Sequence, residues 1–299
     1  MGSFFHAVHV FFEHLAAVQW PALGIALGLH VLKLFFRSLA WRNILTASYP
    51  ERPIPLRMVF GAYMAGVGVN SIAPARGGDV VKLVLVKHRV EGSRYATLAP
   101  TLLVETIFDF VVATALIIWA MSIGVLPAHH VYSRLPSVDW RFFLEHRDQT
   151  LIGLVVLALG ALVLIAWSRR RVDKFWERVR QGFAILDDPQ RLATGVLLWQ
   201  GVSWCFRIAA LFFFLKAFQV QATLHNALLV QVVDSLATLF PATPGGAGTK
   251  QGLLVFVFRN KALSRALLLS FSVGMYIATL ICNVVLGFAA ILLMTRSLT

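Results

Sequence analysis

An all-α polytopic membrane protein, with about five full spans and two re-entrant helical hairpins arranged as an inverted repeat, is the architecture that this sequence predicts. Hydrophobic residues make up 58% of its 299 positions and charged residues 14%, whereas soluble domains carry about a quarter charged residues. Five apolar segments approach the roughly 20 residues needed to cross a bilayer. Two further apolar segments are broken at their centres by Pro- and Gly-rich turns. Such backbone is tolerated at membrane depth only inside protein or beside a wet cavity.

The five predicted spans belong to one membrane domain, residues 1–299. All are nearly continuous apolar segments, and they cover residues 16–36, 96–124, 150–168, 192–216 and 266–294. The broken segments, 58–86 and 225–258, predict the hairpins. The first half, 16–124, and the second half, 192–295, therefore have the same order of span, hairpin and long span. The helix at 150–168 links them.

A constant offset relates the two halves. Pro74 and Pro244 lie 170 positions apart, as do Arg37 and Arg207. Because a single linker helix makes one crossing, the second half enters the membrane from the opposite side. Inverted repeats with helices broken at matching positions are typical of transporters whose site lies near the bilayer midplane. Chance alignment of Gly and Pro interruptions is the alternative explanation.

Charge in the loops predicts orientation in the cell (plasma) membrane, with an external N-terminus and a cytoplasmic C-terminus. Residues 169–191 are rich in arginine, which indicates a cytoplasmic amphipathic segment with an apolar stripe through Phe175 and Trp176. A solvated linker helix is the alternative, but it leaves the aromatic stripe unexplained. Residues 37–57 are also basic, and the balanced charge of 125–149 indicates an external loop.

The formal net charge of +13 does not indicate a nucleic-acid partner in so apolar a chain. Lys and Arg collect in cytoplasmic loops and meet anionic headgroups, so membrane lipids, anionic or phosphate-bearing, are the predicted partners. The two cysteines, Cys205 and Cys282, form no C-x-x-C pair and predict neither a disulfide nor a zinc site. The sequence has no Walker A, G-x-S-x-G or H-E-x-x-H motif, so no cofactor, metal site or enzymatic activity is predicted.

Ionisable residues inside the apolar segments form the candidate site, because each charge at that depth costs at least about 2.5–3.5 kcal/mol on insertion scales. Gly-rich turns expose backbone N–H groups, and basic side chains beside them complete a site for phosphate. The candidate substrate-binding residues are Arg76, Gly77, Gly78, Asp79, Lys82, Glu105, Asp109, Arg207, Asp234, Pro244, Gly245, Gly246 and Lys250. The alternative is that these acids and bases pair with one another and only hold helices together.

Two acids on the long span have a further interpretation. Glu105 and Asp109 are four positions apart and share one helix face. They are expected to face the cavity and to bind a cationic headgroup or a coupling proton. Lys33, near the end of the first predicted span, is expected to reach the membrane interface along its flexible stem.

The two broken segments also resemble the hairpin signatures of a known family. Residues 70–79 read N-S-I-A-P-A-R-G-G-D and residues 241–249 read P-A-T-P-G-G-A-G-T. They are similar to those of flippase-like proteins of the lysylphosphatidylglycerol synthase transmembrane-region family. Arg37, Trp41 and Arg42 resemble the end of that family's first helix. The resemblance covers nearly the whole chain and implies lipid translocation. The aminoacyl-transferase domain of bifunctional relatives is expected to be absent.

Two functions from different classes fit these features. The first is a flippase-like transporter that moves a phosphate-bearing headgroup across the bilayer, on a phospholipid, an aminoacyl-phospholipid or a polyprenyl-linked lipid. The second is a non-transporting scaffold or accessory subunit for a lipid or glycolipid biosynthetic enzyme, docked through residues 169–191. An embedded enzyme is disfavoured because no nucleophile or metal set accompanies Glu105 and Asp109. The oligomeric state is left open.

Overall fold

The computed structural model describes residues 17–73, 77–125, 169–239, 249–258 and 263–296. Regular structure in these ranges is helical, with no strand, as the sequence predicts. Nine helices are named here in chain order: α1 (Trp20–Ser48), α2 (Leu56–Ile72), α3 (Gly77–Arg89), α4 (Tyr95–Ser122), α5 (Arg169–Gly182), α6 (Pro189–Ala217), α7 (Leu224–Leu239), α8 (Thr249–Val257) and α9 (Arg265–Arg296). The predicted linker span at 150–168 lies outside the described residues.

Four of the described helices, α1, α4, α6 and α9, are long and apolar enough to cross a membrane. Helices α4, α6 and α9 begin and end within a few residues of the limits that hydropathy predicts for these spans. The prediction for α1 is wrong at its C-terminal end, since the helix continues to Ser48 instead of ending at residue 36. Packing explains the extension: Trp41, Ile44 and Leu45 are fully buried against the first hairpin, although charged neighbours make this stretch resemble a loop.

Two helix pairs occupy the positions of the predicted hairpins. Helices α2 and α3 have 17 and 13 residues and pack on each other. Helices α7 and α8 have 16 and 9 residues and do the same. The described part of every arm is shorter than the roughly 20 residues that a full crossing takes. Pro74 and Arg76 of the first turn, and residues 240–248 of the second, lie outside the described residues.

Helices α1 and α6 run antiparallel along their whole length. At one end the Gln19 N–H donates to the Ala217 carbonyl (2.9 Å), so the start of α1 lies beside the end of α6. At the other end the Asn43 side-chain amide donates to the Gly195 carbonyl (2.7 Å). Gly195 lies in a π-helical turn, Ala193–Leu197, where the wider helix disturbs the usual hydrogen-bond ladder. Asn43 therefore supplies a donor where α6 itself is irregular.

Corresponding helices of the two halves make corresponding contacts. Helix α1 packs on α6, and each of them packs on the first arm of its own hairpin, α2 or α7. Helix α2 also packs on α9, and α7 packs on α4, so each hairpin contacts the long helix of the other half. Tyr95 and Arg265, the first residues of α4 and α9, are 170 positions apart, which matches the offset found in the sequence.

The predicted amphipathic segment at 169–191 is shorter and more divided than expected. Helix α5 ends at Gly182, a 3₁₀ turn covers Ala184–Asp187, and α6 already begins at Pro189. Asp188 caps this last helix, because its carboxylate accepts from the Arg191 N–H (2.9 Å). This polar cap explains why the segment ends before residue 191.

A close helix contact lies between α2 and α9 and depends on two glycines. A Cβ added to Gly68 would lie 2.9 Å from both the Asn283 carbonyl oxygen and the Cα of Gly287. Those neighbours are backbone atoms, which cannot rotate away. Small residues at such positions let helix backbones approach closely, and this close packing is a main source of helix association in membranes.

We expect Gly68→Ala to destabilise the protein and Gly28→Ala to leave its stability equal or higher. The first change overpacks the α2–α9 contact, at a cost of about 1–3 kcal/mol. The second adds a methyl group where nothing lies within 4 Å, and Ala is favoured over Gly in a helix by about 1 kcal/mol. Thermal denaturation in detergent, followed by the monodisperse fraction on gel filtration, compares the two. Equal melting temperatures would contradict the contact.

Candidate functional site

A buried ion-pair cluster lies where α1 and α4 cross. Arg37 donates from Nε and Nη2 to Glu105 Oε1, at 2.8 and 2.6 Å. Its Nη2 also lies 2.6 Å from Asp109 Oδ2. Nearby, the indole N–H of Trp41 donates to the Thr101 hydroxyl (3.0 Å). The two predicted acids on one face of α4 thus share a single arginine, which was singled out in the sequence only through the repeat and the family motif.

The second arginine of the repeat, Arg207, approaches the same acids from α6. Its guanidinium lies 4.8 Å from the ring centre of Trp204, and the indole N–H of Trp204 donates to Asp109 Oδ1 (2.9 Å). Arg207 is close enough to Asp109, Arg37 and Asp234 to feel their charges. In contrast to Arg37, it forms no salt bridge with any carboxylate in the part of the chain that the structure describes.

The first hairpin is joined to this cluster through Tyr63. The Tyr63 hydroxyl donates to Glu105 Oε1 (2.6 Å). Lys82 lies over the same ring, 4.0 Å from its centre, and its ammonium is 3.2 Å from Asp79 Oδ1. A continuous chain of polar contacts therefore runs from the hairpin, through Tyr63 and Glu105, to Arg37.

The amide of Gly78 is already used inside the hairpin. Its N–H donates to Asn70 Oδ1 (2.7 Å), and the Asn70 amide donates to Asp79 Oδ1 (3.2 Å). Gly78 also approaches the Gly66 carbonyl so closely that a Cβ could not be placed there. Close packing of the two arms is therefore a sufficient reason for a glycine at this position. Gly77 begins α3 beside it.

The second hairpin carries its own ion pair. Lys250 on α8 lies 2.6 Å from Asp234 Oδ1 on α7, so two predicted site residues bridge the two arms. Both side chains are largely buried. The remaining predicted residues of the tips, Arg76 in the first turn and Pro244, Gly245 and Gly246 in the second, lie outside the described residues.

A second polar chain crosses the bundle and was not predicted from the sequence. Lys33, instead of reaching an interface, donates to His30 Nδ1 (3.1 Å), and His30 Nε2 donates to Asn283 Oδ1 (2.9 Å). The Asn283 amide in turn donates to the Ser71 hydroxyl (3.0 Å). This chain connects α1, α9 and α2. The signal in the sequence was the presence of His30 and Asn283 inside strongly apolar helices, where polar side chains are costly.

The charges of this cluster balance in number but not in contacts. Two cations, Arg37 and Arg207, lie near two carboxylates, Glu105 and Asp109. Asp234 is also within electrostatic range of Arg207, but Lys250 pairs with it. Both carboxylates of α4 are engaged by Arg37, so the Arg207 guanidinium keeps its donors without a salt bridge among the described residues. Those are the donors that an anionic ligand can use.

Residues 4–287 match the family described as the lysylphosphatidylglycerol synthase TM region. The chain belongs to this family. The sequence resemblance to the lysylphosphatidylglycerol synthase transmembrane region is confirmed over nearly the full length.

Curated relatives of this lysylphosphatidylglycerol synthase TM-region protein are archaeal membrane proteins. Two UPF0104 membrane proteins of Methanothermobacter thermautotrophicus are 20% and 21% identical to it, over 80% and 93% of this chain and 73% and 84% of their own lengths. A UPF0104 membrane protein of Methanocaldococcus jannaschii is 21% identical over 64% of this chain and 80% of its own. No solved structure matches the chain. These names describe membrane proteins and assign no activity.

We expect Arg37→Met to destabilise the protein much more than Arg207→Met. Removal of Arg37 leaves Glu105 and Asp109 buried without their shared cation, and breaking a buried pair in this way costs about 3–5 kcal/mol. Removal of Arg207 breaks no salt bridge among the described residues. The measurement is the fraction of each variant that remains monodisperse in detergent after heating. If the monodisperse fraction falls equally in both variants, the salt bridges of Arg37 do not stabilise the protein as its contacts predict.

Proposed function

We propose that this protein is a flippase-like transporter that moves a phosphate-bearing lipid headgroup across the bilayer through the cluster of Arg37 and Arg207. The observation that carries the proposal is the position of two arginines, 170 positions apart, near one aspartate: Arg37 pairs with Asp109, and Arg207 lies over the Trp204 ring that bonds Asp109 and has no salt bridge among the described residues. Phospholipids, aminoacyl-phospholipids and polyprenyl-linked lipids all present the phosphate that such a cation recognises.

The antiparallel pairing of α1 and α6 supports an inverted repeat. These helices begin the two halves, and the start of one lies beside the end of the other. Equivalent helices that run in opposite directions are what an axis in the membrane plane produces. Arg37 and Arg207 lie near the middle of their helices, so an inverted arrangement brings both to the depth where transporters hold their substrates.

The arginines have separate roles in this mechanism. Arg37 is held by Glu105 and Asp109 and gives the cluster its fixed frame. Arg207 lies on the Trp204 ring and presents its donors to the phosphate in the bidentate geometry that guanidinium allows. Glu105 and Asp109 then act as partners of Arg37 and not as direct ligands of the lipid. Arg76 and the two tips remain predicted contacts for the headgroup.

The scaffold function has one observation in its favour. On α5, Phe175 and Trp176 expose 50% and 62% of their surface beside a basic helix face. Exposed aromatic residues of this kind suit a membrane interface or a partner protein. A protein that moves no lipid but copurifies with a lipid-modifying or glycosyl-transferring membrane enzyme would favour this function. Placement in the plasma membrane with an external N-terminus also remains a proposal.

We expect Arg207→Gln to lower lipid translocation by at least about tenfold, because a hydrogen bond to a charged group contributes about 1.5–3 kcal/mol and 1.4 kcal/mol corresponds to tenfold. Proteoliposomes would carry fluorescent phosphatidylglycerol, aminoacyl-phosphatidylglycerol or polyprenyl-phosphate reporters, and translocation would be read as accessibility to a membrane-impermeant reductant. The reporter that the protein moves fastest identifies the headgroup class. Arg76→Ala tests the predicted tip in the same assay.

The matched control is Arg52→Gln, which removes an arginine from an exposed ion pair with Glu91. Exposed pairs contribute little, so translocation should equal that of the unchanged protein. If Arg207→Gln protein that remains monodisperse transports every reporter at the original rate, the proposed phosphate site is wrong. If the unchanged protein moves no reporter, the scaffold function is favoured.

A further inference from the structure

An apolar groove of about 590 Å³ lies between α4, α6 and α7. Its size is within the roughly 300–1,000 Å³ typical of ligand pockets. No charged side chain lines it; among its walls are Val112, Leu116, Ile208, Phe212 and Leu228. Cys205, which also lines the groove, is exposed. The groove therefore opens on the outer surface of the bundle, where a membrane protein faces lipid.

One aromatic residue joins this groove to the charge cluster. The Trp204 ring lines the groove, its indole N–H donates to Asp109, and the Arg207 guanidinium lies over the ring. Along α4, Asp109, Val112 and Leu116 follow at helical spacing on one face, so the polar site and the groove are successive parts of the same surface.

Among the described helices, none packs between α4 and α6 on this side. Helix α4 packs on α1, α3, α5 and α7, and α6 packs on α1, α7 and α9, whereas α4 and α6 have little direct backbone contact. The Trp204–Asp109 hydrogen bond spans the gap between them. A ligand that enters here meets apolar side chains first and the cations of the cluster next.

We infer that this groove holds the hydrocarbon chain of the lipid whose phosphate is received at Arg207. The inference rests on the proposed function, because it takes the phosphate site from it. An apolar lining stabilises a chain but leaves a polar or charged group without hydrogen-bond partners. A lipid lying between α4 and α6 keeps its chain in the groove and its phosphate against Arg207. Trp204 then separates the two environments.

The experiment uses photoreactive lipids that carry a diazirine in the chain and either a phosphatidic acid or a phosphatidylcholine headgroup. Full-length protein in phosphatidylcholine vesicles is irradiated with each probe at equal content, and the cross-linked peptides are mapped by mass spectrometry. The phosphate of phosphatidylcholine is neutralised by its own choline ammonium, whereas phosphatidic acid has a net negative charge. We therefore expect phosphatidic acid to label the groove segments, 112–116 and 204–213, several-fold more than phosphatidylcholine does. The outer face of α9 is exposed at Val285 and Phe288 and should be labelled equally by both probes.

Two variants separate the chain site from the phosphate site. Ala209→Trp fills the groove and should abolish the excess labelling there, whereas the matched Ala289→Trp adds the same side chain on the exposed face of α9 and should not. Arg207→Gln should reduce phosphatidic acid labelling of the groove to the phosphatidylcholine level. The comparison of the two probes on the unchanged protein needs no variant, so it stands even if Ala209→Trp fails to fold.

The inference is overturned if the groove segments and the α9 face are labelled alike by both probes, or if the groove is not labelled at all because protein fills it. Translocation is read separately. Loss of transport in Arg207→Gln together with unselective groove labelling would leave the transporter standing and refute the chain site. Selective labelling by a protein that moves no reporter would support the chain site and refute the transporter.

Discussion

The ion pairs of Arg37 with Glu105 and Asp109 are the interaction on which the rest of the bundle depends. Three charges at membrane depth would each be costly alone, and removal of one partner leaves the others uncompensated. Arg37 therefore fixes α1 against α4, and the remaining lone pairs of the acids recruit further helices. Glu105 accepts from Tyr63 of the first hairpin, and Asp109 accepts from Trp204 of α6. Four elements are thus positioned by one buried guanidinium, and each contact removes part of the cost of keeping the charges inside.

The two arginines that lie 170 positions apart have different surroundings. Arg37 and Arg207 lie on antiparallel helices that pack together, but only Arg37 contacts Asp109 directly, and α4 contributes both of its acids to Arg37. The long helix of the second half, α9, carries no acidic residue at all between Arg265 and Arg296. Arg207 therefore lacks the partners that an exact copy of the first half would have provided, and it depends on Trp204 and on the field of the neighbouring charges. This asymmetry leaves the Arg207 guanidinium without a salt bridge among the described residues.

Sequence patterns predicted the parts of this fold that arise from local chemistry. The limits of α4, α6 and α9 follow from apolar composition, and the offset of 170 positions between the halves is read from the residue numbers, because both can be counted along the chain. Only part of the site could be predicted from the sequence, because its ion pairs join residues that are far apart along the chain: Arg37 and Glu105 are 68 positions apart. Nothing in the sequence near Tyr63 or Trp204 distinguishes them from the many other aromatic residues of the chain. The C-terminal extension of α1 was missed for a similar reason, because the burial of Trp41 depends on a hairpin that follows it.

The helices of the two halves are joined by contacts of unequal strength. Helix α2 is in backbone contact with α9 at Gly68 and Gly287, so the first hairpin is bound to the second half, and α7 packs on α4 in the reciprocal way. Separation of the halves as two rigid bodies would break both contacts and open the Lys33–His30–Asn283 chain between them. The gap between α4 and α6 has no such backbone contact and is bridged by the Trp204–Asp109 hydrogen bond. Among the described helices, the α4–α6 gap therefore opens with the smallest loss of packing, and Arg207 lies beside it, without a salt bridge to the acids of α4.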